Sequence, residues 1–254
     1  MKLARPDIRH PRIVLAGPGD DAGRAAARGG AGQSGLRRRS VEGDGDDAGL
    51  VPALRKRGLH ARWMSWDDPD ILSADLVILR ATADYPDRVD EFLVWTRRVA
   101  NLLNPPDVVA WNADKRYLRD LKSAGVPTLL SGPPEPPIGQ TALVFLAGEQ
   151  SHAFSTTAQP PIEPDFEFWD LGHAALRVAA DHVGIGTGEL LYARVDVTGG
   201  PGDARLVGMD LIAPSLGWRR LDAGTRDLAQ REFALAVESA CERLGLGPFS
   251  HRRP

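Results

Sequence analysis

The sequence predicts an α/β chain that turns α+β in its C-terminal half. A small open parallel α/β domain over residues 1–110 is followed by a second domain, 111–254, built on an antiparallel sheet. Three observations predict this. Short apolar runs alternate with helix-period segments as far as Asn104. Two pairs of strand-like segments follow, each joined by a glycine-bearing turn. Segments of apolar helical period separate and close those pairs.

Taken in order, PRIVLAG reads as a buried first strand, an apolar run ended by glycine and proline. The tract Pro18–Gly49 is rich in Gly, Ala and Arg, with Leu36 and Val41 its only large aliphatic residues. That composition cannot offset ordering entropy, so a disordered insertion is expected. The string GDDAG occurs in it twice, at Gly19–Gly23 and Gly45–Gly49, and Arg37, Arg38 and Arg39 read as a solvated charge run or a contact for an acidic partner. A helix with Leu50, Val51 and Leu54 ends at Gly58, a C-terminal cap, and the strand LHARWMSW follows. Leu76–Leu79 is a continuous apolar run suited to a parallel strand covered on both faces. DRVDEFLVWTRRVANLL is expected to be one helix, with Val89, Phe92, Leu93, Val99 and Leu103 on one side.

In the second half, LNPPDVVAWN reads as a loop. It leads to the helix ADKRYLRDLKSAG, with Asn112 as its N-cap and Gly125 as its stop. GVPTLLSGPPEPPIG is proline-rich and reads as a linker. TALVFLAGEQSHAFS reads as a hairpin turning at Ala147–Gln150, and PPIEPDF as another linker. A helix over Trp169–Val183 precedes the strand LLYARVDVT, whose antiparallel partner is RLVGMDLIAP. A last helix, Thr225–Leu244, is expected to turn Leu228, Phe233, Val237, Ala240 and Leu244 inward.

Composition narrows the function classes. The chain has 254 residues, 43% hydrophobic and 26% charged, ordinary for a globular protein. A net charge of -3 gives no general attraction to nucleic acid or anionic membranes. Cys241 is the only cysteine, which excludes an intramolecular disulfide and a thiolate zinc cluster, and the six histidines show no ligand pairing. No apolar stretch approaches the ~20 residues of a membrane span, and the N-terminal apolar run is shorter than the ~7–15 residues of a signal peptide. The expected location is therefore cytoplasmic.

The chemistry concentrates on the last hairpin. Period-two alternation puts Arg194 and Asp196 on one face of their strand, and Gly208 and Asp210 on one face of the partner. Two carboxylates facing each other suit a hard cation such as magnesium, and the arginine suits a phosphate or an oxyanion. The plainer reading is an ion pair.

YARVDV followed by VGMDLIAPSL resembles the closing hairpin of the ATP-grasp superfamily, which contains D-alanine–D-alanine ligase and glutathione synthetase. PDRVDEFLVWTRRVANLLNPPDVVAWNADKRYLRDLKSAGVPTL resembles the junction between that family's N-terminal (pre-ATP-grasp) domain and its ATP-binding domain. ALVFLAGEQSHAFS resembles its next strand pair. The resemblance covers Leu50–Gly132 and Gly139–Leu244, and points to bacterial glutathione-synthetase-like proteins, including a cycloserine-biosynthesis type. It implies ATP and Mg2+ as cofactors, and a small acid and an amine as substrates. Lys115 would contact ATP phosphate, although it also reads as a solvated helix lysine. Arg194 would neutralise the transferring phosphoryl group, and Asp196 and Asp210 would ligate magnesium. Arg80 and Asp84 correspond to substrate-side positions, the alternatives being an ordinary ion pair and a helix-capping aspartate.

The pattern also breaks. Gly208 stands at the position of the bridging magnesium glutamate, and Ala213 at a following acidic position. Gln140, Thr141 and Ala142 replace a carboxylate, a cation and a hydroxyl, and no Lys-Pro strand lies between Val126 and Gly139. Phosphoryl transfer depends on charge neutralisation, so these losses predict a truncated, degenerate ATP-grasp domain with weak or lost ligase activity and a binding or regulatory role. Two other readings stay open. One is an active carboxylate–amine ligase whose site is completed in an oligomer such as a homodimer, a complete paralogue being instead the partner expected of the degenerate, regulatory form. The other is a non-enzymatic interaction module whose hairpin carboxylates pair with Arg194 and Arg205.

Overall fold

The computed structural model describes residues 10–18, 45–82, 84–130, 140–156, 163–200 and 202–247. The expectations for Arg37–Arg39, for the first GDDAG copy and for the proline tract at 133–137 lie outside them.

The first half forms β1 (Ile13–Gly17), α1 (Leu50–Lys56), β2 (Ala61–Ser65), β3 (Leu76–Leu79), α2 (Val89–Thr96) and β4 (Leu102–Leu103). The strands make one parallel sheet in the order β2-β1-β3-β4. Its apolar runs are buried on both faces, as the unbroken Leu76–Leu79 run requires. Leu15 and Ile78 join one core, and Val14, Ala16, Val77 and Leu79 join another with Trp66, Phe92 and Trp95.

The second half forms α3 (Pro106–Ala113), α4 (Tyr117–Ser123), β5 (Thr141–Leu146), β6 (Glu149–Ser155), α5 (Phe166–Val183), β7 (Tyr192–Thr198), β8 (Arg205–Asp210) and α6 (Ala223–Arg243). Its antiparallel sheet runs β6-β5-β7-β8. Helix α5 packs on the face carrying Leu143, Phe145, Val195 and Val197. Helix α6 packs on the other face through Phe233, Val237 and Ala240, in the core that also holds Leu15, Leu54 and Ile78 of the parallel layer. The chain's last helix thus binds the two sheets together.

Five expectations are corrected. The helix expected over 87–103 stops at Thr96, and Leu103 instead pairs with Ile78 as an edge strand. The expected loop at 103–112 contains α3, because Pro106 at its first turn supplies a preset φ where no amide donor is needed. Asn112 therefore lies in α3 rather than capping the next helix, and Lys115 lies in the turn before α4. Leu228 and Leu244 of α6 are exposed, since the buried stripe follows Phe233, Val237, Ala240 and Cys241. Finally, Gly45–Gly49, expected within a disordered insertion, is structured. Asp46 and Asp47 are buried in a short 3-10 turn because each has distant partners.

Candidate functional site

Strand register builds the site. Asp196 pairs with Gly208 and Arg194 with Asp210 across the β7–β8 hairpin. On the other side of β7, Asp196 pairs with Ala142 and Arg194 with Val144. Ala142 pairs in turn with Phe154, and Val144 with His152. Two rows therefore cross the sheet on one face: Phe154, Ala142, Asp196, Gly208, and His152, Val144, Arg194, Asp210. Regular pairing keeps Gly208 and Asp210 on this face, and the hairpin's bulge falls beyond them, between Asp196 and Val197.

Within this face Arg194 Nε donates to Asp196 Oδ1 at 2.8 Å. The Arg194 guanidinium reaches across the small Ala142 to lie 5.3 Å from the Phe154 ring centroid. Asp210 Oδ1 accepts from the backbone N–H of Ile212 at 2.9 Å and of Ala213 at 3.2 Å, an Asx-type turn that bends the chain out of β8. Burial pushes both carboxyls above the usual aspartate range. Arg194 opposes this at Asp196, and the two N–H donors, Arg194 and Arg80 oppose it at Asp210.

A tyrosine pair adjoins the carboxylates. Tyr117 Oη accepts from Met209 N at 2.9 Å, and a Cβ placed on Gly208 would lie 3.5 Å from that hydroxyl. Burial raises the Tyr117 phenol, and Asp210 and Asp196 add to the effect. Tyr85 is pushed up to about 12 by burial and then by the charge of Asp210.

The other expected residues go elsewhere. Lys115 is exposed and makes no side-chain hydrogen bond or ion pair among the described residues. It lines an open cleft of about 680 Å³ together with Leu93, Trp111, Arg116, Tyr117 and His182, which includes none of Arg194, Asp196 and Asp210. Arg80 is buried. Its Nε and Nη2 donate to Asp47 Oδ1 at 3.0 and 2.8 Å, and Nη2 also donates to Pro214 O. Asp84 accepts from Trp66 Nε1 at 3.0 Å and makes no side-chain cap bond to the turn it precedes. Arg205 pairs with Asp203 rather than with the hairpin carboxylates.

Polar residues that no local pattern marks hold the hairpin in place. Asn104 Nδ2 donates to Tyr192 O and Leu211 O, and its Oδ1 accepts from Leu191 N. Asn112 Nδ2 donates to Met209 O, and its Oδ1 accepts from Leu211 N. Among the described residues, no group of three or more His, Cys, Asp or Glu side chains is placed to hold a metal ion. No described helix is long and apolar enough to cross a membrane.

A family model described as the N-terminal domain of D-cycloserine synthetase DcsG matches residues 32–104. The cycloserine biosynthesis protein DcsG of Streptomyces lavendulae is 35% identical over 91 residues, which is 34% of this chain and spans 30% of that relative's length. A crystal structure of D-cycloserine synthetase DcsG is similar with a TM-score of 0.66 at 22% identity, over 91% of this chain and 99% of that one. The D-alanine–D-alanine ligase of Bacillus anthracis, complexed with ATP, is similar at 0.59 and 12% identity, over 94% and 100%. The ATP-grasp ligase PsnB, complexed with precursor peptide PsnA2 and AMPPNP, is similar at 0.53 and 12% identity, over 92% and 100%.

Proposed function

We propose that this chain, an ATP-grasp-fold protein whose N-terminal part is similar to that of D-cycloserine synthetase, is a degenerate relative of the carboxylate–amine ligases. It has a binding or regulatory role and little ligase activity. One observation carries this reading: Asp196 faces Gly208, so the hairpin offers two carboxylates where bridging metal chemistry needs a third oxygen donor. The donor set does not fit a pair of magnesium ions. Arg194 occupies one oxygen of Asp196, two backbone amides occupy one oxygen of Asp210, and no third carboxylate stands nearby among the described residues. Lys115, the expected phosphate contact, opens on a different cleft.

Calorimetry with ATP and Mg2+, paired with an ADP-release assay on mixtures of small acids and amines, tests the reading. The expected result is no metal-dependent ADP release. Micromolar ATP binding with metal-dependent turnover would overturn it.

The shared face of Arg194, Asp196 and Asp210 favours a second reading, in which a partner subunit of an oligomer finishes the site. ADP release would then be measurable in the oligomer, and Asp196→Asn and Asp210→Asn would each abolish it. Activity surviving both substitutions removes this alternative.

A further inference from the structure

Two histidines meet at the entry edge of the parallel sheet, although their spacing along the chain gives no sign of it. His10 precedes β1 and His60 precedes β2, and the parallel pairing of Ile13 with Ala61 draws the two approaches alongside each other. Their rings pack edge to face, with centroids 5.4 Å apart and planes inclined at 77°. Both residues are exposed. Neither ring makes a hydrogen bond or ion pair among the described residues, so its nitrogens are uncommitted there. The other described histidines differ. His152 Nε2 is taken by Leu216 O, His173 lies 3.1 Å from Gln150 Nε2, and His182 stacks on Trp111.

The backbone on each side of the pair is fixed. Pro11 is buried and holds the residue before it to extended conformations. Arg12 N donates to Asp75 Oδ2 at 2.8 Å, and Arg12 O accepts from Asp75 N and Leu76 N. His60 sits between Leu59 and Ala61, both buried. Only the side-chain torsions are left to adjust, and χ2 of histidine is a broad torsion, so turning a ring costs little.

Ring spacing decides which ligand suits the pair. With zinc–nitrogen bonds of about 2.0–2.1 Å, two imidazoles on a tetrahedral ion have centres about 5 Å apart. An octahedral ion, with its ligands at right angles, would need about 4.5 Å. The observed 5.4 Å is nearer the tetrahedral value. We propose that His10 and His60 form a two-imidazole binding site for Zn2+. Neutral imidazole is a good zinc ligand, and water fills the remaining positions, since no group of three or more His, Cys, Asp or Glu side chains is placed to hold a metal among the described residues. The ion clips the chain entering β1 to the chain entering β2, 50 positions further on. A link that closes so long a loop restricts the unfolded chain and thereby stabilises the fold. This inference is independent of the hairpin and of ATP: the pair lies at the end of the sheet opposite Arg80, which follows β3.

Isothermal titration of the metal-stripped full chain with zinc chloride, paired with thermal melts, tests it. Saturable binding near one equivalent is expected, with a melting temperature that rises as zinc is added, because the ion binds the folded chain in preference to the unfolded one. His10→Ala and His60→Ala should each weaken that binding about tenfold or more, the loss of one of two protein ligands, and remove the rise in melting temperature. Both side chains are exposed, so each variant should melt like the unaltered chain when zinc is absent. No saturation in the unaltered chain overturns the proposal. So does zinc binding that either variant retains at full strength, because the ion then sits elsewhere.

Discussion

Asp196 stands directly across the hairpin from Gly208, and among the described residues only the Tyr117 hydroxyl lies near the space a side chain there would enter. The backbone at 208 has no positive φ of the kind that demands glycine, so the missing side chain is not imposed by the fold.

Gly208→Ala is accordingly expected to fold and to gain about 0.5–1 kcal/mol, the usual cost of a strand glycine. Gly208→Glu should add the third carboxylate to Asp196 and Asp210. Titration with Mg2+ or Mn2+ should then show affinity at least about tenfold above that of the unaltered chain, since oxygen ligand count and charge set the strength of such sites. An unchanged isotherm in a folded Gly208→Glu protein would mean that the hairpin geometry, and not just the donor count, is unfit for a cation.

The buried carboxyls give the fold a pH dependence of definite sign. Asp210 has a raised pKa in the folded chain, so the native state holds its proton more tightly than the unfolded state does. Stability from this group is present at low pH and is lost as pH rises from the ordinary aspartate value, ~3.9, through the folded value. Asn at 210 can accept the same two backbone bonds without the charge. Asp210→Asn should therefore melt higher than the unaltered chain at pH 7, with the gap closing toward pH 4. A gap that widens on acidification contradicts the assignment.

The same hairpin shows what could be read from sequence. Alternation along a strand is a local property, so the shared face of Arg194 with Asp196, and of Gly208 with Asp210, was legible from spacing of two residues. So was the buried parallel run Leu76–Leu79. Long-range polar partners were not. Asp46 is held by amides at Gly217 and Arg219, and Asp47 by Arg80. Composition averaged over a glycine-rich tract hides two acidic residues whose partners lie so far along the chain. The helix at Pro106–Ala113 was missed because a Pro-Pro pair signals a loop as readily as a helix start.

Asn104 is expected to be the costliest single polar residue near the site. It is fully buried at the end of β4, and it ties that strand to Leu191, Tyr192 and Leu211 through three bonds of 2.7–2.9 Å. Asn104→Ala strands one buried donor and two acceptors, at about 1–3 kcal/mol for each group left unsatisfied. Urea denaturation should show a loss of about 3 kcal/mol or more, summed over those groups. A loss below about 1 kcal/mol would show that the two sheets are not joined at this point.

Asp47 carries the final test, because it asks whether the segment before α1 belongs to the fold. Its side chain and that of Arg80 are 2% and 1% exposed, with Oδ1 taking two N–H bonds. Burial alone would lower the arginine's pKa, and Asp47, with Tyr192 and Asp46, more than reverses it, so removing the Asp47 carboxylate leaves a charged guanidinium sealed from water. Asp47→Ala should cost about 3–5 kcal/mol, the range for breaking a buried pair from one side. Replacing both partners by apolar residues, Asp47→Leu with Arg80→Met, should cost clearly less than Asp47→Ala, because no charge is then left unpaired. Equal costs would show that Asp47 acts through something other than Arg80. The pair also ties down the chain beyond β8: Arg80 donates to Pro214 O, ahead of the 3-10 turn Trp218–Arg220.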